Sequence, residues 1–120
     1  MTVSRGHGRR FVDLAGRRAA DPLESTEATS SLRIVDLERI PGRTAHRHPH
    51  SEEVVYIAAG QGVVWINGTV APIGTGDVVH IPRGAAHATI PEEGVSMRLV
   101  CFFPHPDLLA NVEETDIEVS

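Results

Sequence analysis

Three histidines and one glutamate stand out because their side chains together offer the donor atoms that a transition metal needs. His46, His48 and Glu53 lie close together in the chain, and His87 follows in a separate segment. Imidazole nitrogens combined with one carboxylate oxygen suit Fe(II), Mn(II), Ni(II) or Zn(II). If the four side chains meet in the fold, the sequence predicts one divalent transition metal per chain.

The spacing of the first two histidines indicates how they could share an ion. Residues two apart on a β-strand point to the same face, with Cα atoms about 7 Å apart. His46 and His48 would therefore face one side, and Pro49 ends their strand. Glu53 opens the next Val/Ile-rich run and can lie antiparallel beside them, whereas His87 must come from a distant strand. A closed β-barrel or a double sheet brings such remote strands around one interior.

The composition favours such a fold. One domain is the natural count for 120 residues. Only 4% of the residues are aromatic, and 11 glycines and 8 prolines indicate many turns between short Val/Ile-rich runs. This pattern predicts an all-β, single-domain antiparallel barrel or double-sheet jelly roll. The predicted strands cover 32–40, 44–49, 53–59, 63–66, 69–71, 77–81, 86–90 and 96–103.

The two ends of the chain read differently from its middle. Residues 1–30 are polar and are predicted to form an N-terminal arm, with at most one edge strand, ahead of a barrel over 31–106. Residues 107–120 are predicted to form an acidic tail, in which Asp107 could cap a short helix that runs through Val112.

Charge and residue types narrow the function classes. The formal charge of −5 argues against nucleic acid as a partner, and the absence of lysine excludes Schiff-base chemistry. The single cysteine, Cys101, cannot form an internal disulfide. No N-terminal apolar run is long enough for a signal peptide or a membrane helix, so we expect a cytoplasmic protein without a membrane partner. The small core favours a homodimer, to which the arm could contribute a strand.

The first histidine segment resembles the first signature motif of the cupin superfamily, G-x5-H-x-H-x3-4-E-x6-G. In this chain His46-x-His48 is followed by four residues, Glu53, six residues and Gly60. The leading glycine departs from the family pattern, because Gly42 lies three residues before His46 instead of five.

Gly42 leaves an alternative register open. Counting five residues from Gly42 selects His48 and His50 as the motif histidines, but then only two residues precede Glu53. We prefer His46 and His48, since the glutamate spacing governs ligand geometry and the glycine only shapes a turn.

The second histidine segment resembles the second cupin motif, G-x5-P-x-G-x2-H-x3-N. Gly76 is followed by five residues, then Pro82, one residue, Gly84, two residues and His87. Pro91 stands where the family has asparagine, which changes no ligand position. The resemblance identifies the chain as a small, single-domain, metal-binding member of the superfamily. It implies a jelly-roll barrel that holds a divalent metal, with positions left open for a substrate.

Strand parity extends the prediction from the metal to its surroundings. Residues that share a face with a proposed ligand, together with the apolar set on the last strand, would contact a substrate; Trp65 could face either way. The predicted contact residues are Thr44, Val55, Ile57, Trp65, Thr89, Met97, Leu99 and Phe103. His50 and His105 are the remaining candidates for catalytic groups near the metal. Cys101 is predicted to be a buried, inert thiol.

The resemblance implies a range of functions. We place first a metalloenzyme that carries out a dioxygenase-like reaction on a metal-chelating metabolite, because the sequence offers no second catalytic dyad. A metal-dependent decarboxylase, lyase, isomerase or cyclase is the alternative among enzymes. A non-enzymatic module that binds a metal or small ligand and acts with a partner protein is the third interpretation.

Overall fold

The computed structural model describes residues 1–120 as eleven strands without a helix. The strands are β1 (Val12–Leu14), β2 (Arg17–Ala20), β3 (Ser31–Leu37), β4 (Thr44–Arg47), β5 (Glu53–Ala59), β6 (Gln61–Ile66), β7 (Thr69–Gly74), β8 (Val78–Ile81), β9 (His87–Pro91), β10 (Met97–Phe103) and β11 (Glu113–Glu118). No helix has the length and hydropathy needed to cross a bilayer.

The strands form two antiparallel sheets that pack into one sandwich. The first sheet has six strands in the order β1-β2-β3-β10-β5-β8, and the second has five in the order β11-β4-β9-β6-β7. Neighbours that are distant in sequence, such as β3 with β10 and β4 with β9, make the long connections of a jelly roll. The predicted all-β, double-sheet fold is confirmed.

Alternation along β10 shows how the core forms. Met97, Leu99, Cys101 and Phe103 are each at most 5% exposed, whereas the residues between them face outward. The prediction that this apolar set faces the interior is therefore confirmed. Branched aliphatic residues of β3, β5 and β8 complete the core cluster, as the low aromatic content requires.

Glycine is required at two points of the β6 region. Asn67 and Gly68 have φ values of 47° and 88°, the left-handed pair of a tight two-residue hairpin that joins β6 to β7. Gly62 needs its missing side chain for another reason. A Cβ there would collide with the carbonyl oxygen of Ile90 and lie 2.8 Å from Cα of Pro91. This glycine lets β6 lie close against β9.

The N-terminal segment contributes more than an arm. β1 and β2 form a hairpin that extends the first sheet beyond β3, with Ala19 in register with Val35. Ala19 and Ala20 are only 4% exposed, and Ala19 belongs to the main core cluster. The segment thus pairs within its own chain, and homodimerisation stays a prediction.

The predicted C-terminal helix is wrong. Residues 107–112 form a turn, in which the Asp107 carboxylate accepts a hydrogen bond from the Ala110 backbone N–H at 3.1 Å. The acidic segment that follows is β11, which pairs with β4 at the open edge of the second sheet. The turn is held by Asn111, which is 1% exposed and makes hydrogen bonds to His48, His50 and Ser51, so tertiary contacts decide its conformation.

Candidate metal centre

The four predicted ligands come together between the two sheets. His46 lies on β4 and His48 directly after it, Glu53 begins β5 and His87 begins β9. One donor atom from each lies within 4.8 Å of the others. His46 and His87 are register partners in the second sheet, and their ring centroids are 4.4 Å apart. The first sheet supplies the carboxylate, so the cluster bridges the interior of the sandwich.

Backbone carbonyls orient two of the imidazole rings. Nδ1 of His48 lies 2.6 Å from the carbonyl oxygen of Asn111, and Nδ1 of His87 lies 2.9 Å from that of Ala85. A carbonyl oxygen only accepts hydrogen bonds, so each Nδ1 carries a proton and donates it. Each ring therefore presents the lone pair of Nε2 to the centre of the cluster.

The lone pairs at the centre face another acceptor. Nε2 of His48 and Nε2 of His87 lie 3.2 Å and 2.9 Å from Oε1 of Glu53. Nε2 of His48 and Oε1 of Glu53 are both buried without a hydrogen-bond partner. Two buried acceptors at this distance are stable only with a proton or a cation between them. The four residues thus fit a divalent metal ion.

The electrostatics of the cluster favour the same occupant. Burial, together with the neighbouring His87 ring, lowers the pKa of His46 from its ordinary 6.5 to about 3. Burial alone would raise the pKa of Glu53, but the adjacent rings of His48 and His87 outweigh it and hold that pKa below its usual range. At neutral pH the cluster therefore holds a neutral imidazole at His46 and a charged carboxylate at Glu53, as metal binding requires.

The cluster opens into a cavity of about 390 Å³, within the range of small-molecule sites. Five of the eight residues predicted to contact a substrate line this cavity, mostly with apolar atoms. They are Thr44, Val55, Thr89, Leu99 and Phe103.

The other three predicted contact residues lie elsewhere. Ile57 and Met97 are 0% and 1% exposed in the core and do not line the cavity. Trp65 is in register with Ala88, and Ile66 with His87, so Trp65 lies on the opposite face of the second sheet from the ligand.

The two candidate catalytic histidines also lie outside the cavity. The rings of His50 and His105 stack on each other with centroids 5.4 Å apart. Nδ1 of His105 accepts a hydrogen bond from the Asp107 backbone N–H. Neither ring lines the cavity. The cluster contains His46 and not His50, which favours the motif register with His46 and His48.

Several cavity residues carry no motif and were missed from the sequence. Arg17 of β2, Arg43 before β4 and Glu114 of β11 all line the cavity. Cys101 lines it too as a buried thiol, and its burial raises its pKa well above the ordinary value, which keeps it protonated. Nothing in the sequence predicted the two arginines as cavity residues, because neither belongs to a motif with a fixed spacing from the ligands.

Comparison with known proteins finds one related sequence and several similar folds. Protein SchB of Streptomyces halstedii is 38% identical over 96 residues, which cover 74% of this chain and 69% of that protein. The Streptomyces nucleoside dehydratase Pac13 superposes with a TM-score of 0.79 at 16% identity, over 100% of this chain and 94% of that one. The polyketide cyclase RemF of Streptomyces resistomycificus superposes with a TM-score of 0.77 at 17% identity, over 96% and 85%.

The family follows from the same comparison. The family model described as the cupin domain matches residues 36–103, which include all four candidate ligands. Those residues also span the strands from β4 to β10, which form half of the first sheet and four of the five strands of the second. With its double-sheet fold and its cluster of three histidines and one glutamate, this chain belongs to the cupin family.

Proposed function

We propose that this cupin is a metal-dependent enzyme that acts on a small organic molecule bound through oxygen atoms. The observation that carries the proposal is the buried cluster of four donors, all within 4.8 Å of one another, opening into a cavity of about 390 Å³. A structural metal site is closed by its ligands, whereas a catalytic site faces a cavity that admits a substrate.

The residues of this chain would hold the ion and set its surroundings. His46, His48, Glu53 and His87 would be the ligands, with His48 and His87 kept in one tautomer by backbone carbonyls. A bound divalent ion supplies Lewis-acid chemistry, which polarises a carbonyl or enol oxygen of the substrate. The apolar walls exclude water, which strengthens this polarisation.

Among the reaction classes, we place non-oxidative lyase or cyclase chemistry first. The names of the structural neighbours Pac13 and RemF denote loss of water and ring closure, and neither reaction needs O₂. Both reactions benefit from a polarised carbonyl beside a cleavable C–H or C–O bond.

Dioxygenation of a chelating enol or diol is the second candidate. The donor set favours it, since three imidazoles and one carboxylate suit redox-active Fe(II) as well as Zn(II). Decarboxylation and isomerisation would use the same polarised carbonyl.

Metal replacement separates these candidates. Protein loaded with Zn(II) or with Fe(II) is incubated with a panel of ketones, diketones, catechols and flavonols. NMR in D₂O follows exchange of the C–H next to a carbonyl, and an electrode follows O₂. Lewis-acid chemistry predicts exchange or product with Zn(II) in the absence of O₂. Substrate-dependent consumption of O₂ by the Fe(II)-loaded protein, with no reaction by the Zn(II)-loaded protein, would instead support a dioxygenase.

The control is His46→Ala, which removes one ligand from the cluster. Turnover by this variant at the wild-type rate would refute the proposal, because the reaction would then not depend on the metal. Full metal occupancy of the wild-type protein without turnover of any compound would favour the non-enzymatic binding module.

A further inference from the structure

Three arginines line the cavity beside the metal-ligand cluster, and two of them have no carboxylate partner. Arg33 forms a two-pronged ion pair with Asp21, at 2.8 and 2.9 Å, so its charge is balanced. Arg17 makes no side-chain hydrogen bond and no ion pair within the chain. Arg43 donates only to the backbone carbonyls of Gly16 and Glu38, at 3.3 and 2.9 Å.

Arg43 is the more unusual of the two unbalanced residues. It is only 9% exposed, and its Nε has no hydrogen-bond partner. An arginine stays charged in proteins, and a buried charge without a counter-charge is costly. The Arg43 guanidinium therefore places a positive charge without a counter-charge at the cavity wall.

The acids of the cavity do not balance this charge. Glu53 lies within the histidine cluster, where its carboxylate would serve the metal. Glu114 is exposed on β11 and forms no ion pair with Arg17 or Arg43. A divalent ion at the cluster would add further positive charge, so the cavity favours an anionic occupant.

Arg17 lines the cavity and could bind an anionic occupant directly. It lies on β2, where Leu37 of β3 is its register partner, and its side chain is partly exposed to the cavity. A guanidinium with free N–H groups binds a carboxylate through two parallel hydrogen bonds. The apolar side chains of Val35, Leu37 and Val112 line the same cavity and suit a hydrocarbon body.

We propose that the cavity takes an organic acid, whose oxygen-bearing end reaches the metal while Arg17 binds a carboxylate at the other end. Arg43 contributes positive charge from its buried position next to Gly16 and Glu38. The proposal rests on the proposed function, because it assigns the substrate class of the same site.

The test compares two probes that share one chelating catechol group and carry either a charged or a neutral group opposite it. 3,4-Dihydroxybenzoate carries a carboxylate opposite its catechol, and 3,4-dihydroxybenzamide carries a neutral amide there. Binding of each to the Zn(II)-loaded protein is measured by calorimetry. The wild-type protein should bind the acid at least about tenfold more tightly, the effect of one two-pronged charged pair.

Two substitutions assign that preference to the cavity. Arg17→Gln should bring the affinities for acid and amide close to equal by weakening the acid alone, with metal content unchanged. Arg17→Lys, which keeps the charge but not the planar fork, should retain part of the preference. Arg39→Gln is the matched control, because Arg39 is exposed outside the cavity and its loss should leave the preference intact.

The outcomes separate this proposal from the function on which it rests. Equal wild-type affinities for both probes, or a preference that survives Arg17→Gln, would overturn the organic-acid proposal while leaving a metal-dependent cavity. Failure of the metal-loaded protein to bind either probe would overturn both, because the cavity would then not admit a chelating ligand.

Discussion

Asn111 offers a direct test of how the turn before β11 holds the metal centre in place. It is 1% exposed, and its carbonyl oxygen accepts a hydrogen bond from Nδ1 of His48 at 2.6 Å. Its side-chain Oδ1 accepts the His50 backbone N–H at 2.8 Å, and its Nδ2 donates to Ser51 Oγ at 2.8 Å. Replacement by alanine keeps the carbonyl but removes both side-chain bonds that fix the turn.

The size of the effect follows from those two bonds. Each contributes about 1 kcal/mol net, and the buried Ser51 hydroxyl, which loses its donor, adds a penalty of up to about 2 kcal/mol. Asn111→Ala should therefore lower the free energy of unfolding by about 2–4 kcal/mol. For a domain of this size the melting temperature would fall by roughly 10 °C. The metal affinity should fall about 10–100-fold, since His48 would lose its fixed orientation.

Thermal unfolding with and without metal distinguishes positioning from simple stability. The melting temperature is measured in a chelator and then at one fixed concentration of Zn(II). A purely structural role for Asn111 lowers both temperatures equally. Weaker positioning of His48 also shrinks the rise on adding metal, because each tenfold loss of affinity removes about 1.4 kcal/mol of ligand-induced stability.

Leu109→Ala is the matched control, since Leu109 lies in the same turn and is 77% exposed. It should change neither melting temperature nor metal affinity. If the free energy of unfolding of Asn111→Ala lies within about 0.5 kcal/mol of the wild-type value, the stability estimate is refuted. Such a change is too small for the loss of two side-chain hydrogen bonds. An undiminished rise with Zn(II) would refute the positioning role.

Three further predictions concern the ligands, the pH response and the packing of β6. His46→Ala should lose most of the metal by elemental analysis while His50→Ala keeps it, because only His46 belongs to the cluster; metal retention by His46→Ala would reject this ligand set. In the metal-free protein the pKa of His46 falls to about 3, so below pH 6.5 the unfolded chain binds a proton that the folded chain does not. Stability to urea should therefore decrease from pH 6.5 towards pH 3, by up to about 1.4 kcal/mol per pH unit, and His46→Gln should flatten this slope. Gly62→Ala should cost about 1–3 kcal/mol in a thermal melt, because its Cβ would strike the β9 backbone. Gly74→Ala, whose nearest contact would be at 3.9 Å, should cost much less; equal losses would contradict the close approach of β6 to β9.

The strands that the sequence predicted well are those whose burial alternates. β5 runs from Glu53 to Ala59 as predicted, and β10 places its apolar set in the core. The four candidate ligands were predictable because their spacing matches the two cupin motifs, which bring these positions together in one cluster. Alternation identifies the face of a strand but not the length of the cavity beneath it. For that reason Ile57 and Met97 share a face with Val55 and Leu99, respectively, but do not line the cavity.

The strands that the sequence missed have no periodicity of their own. β1 and β2 are three and four residues long, and β11 is almost entirely polar or charged. They become strands by pairing at the edges of the sheets: β2 pairs with β3, β1 pairs with β2, and β11 pairs with β4. Edge pairing depends on the rest of the fold, so local propensity could not reveal it.

The division between what was predicted and what was missed has a functional meaning. The motifs, and the family match over 36–103, describe the middle of the chain, which supplies the metal ligands. The ends supply Arg17, Glu114 and the Asn111 carbonyl, which border the cavity or orient a ligand. A metal that polarises an oxygen does not by itself select a substrate, so selection must come from the walls. The proposed function therefore assigns part of substrate selection to residues of the edge strands that no motif describes.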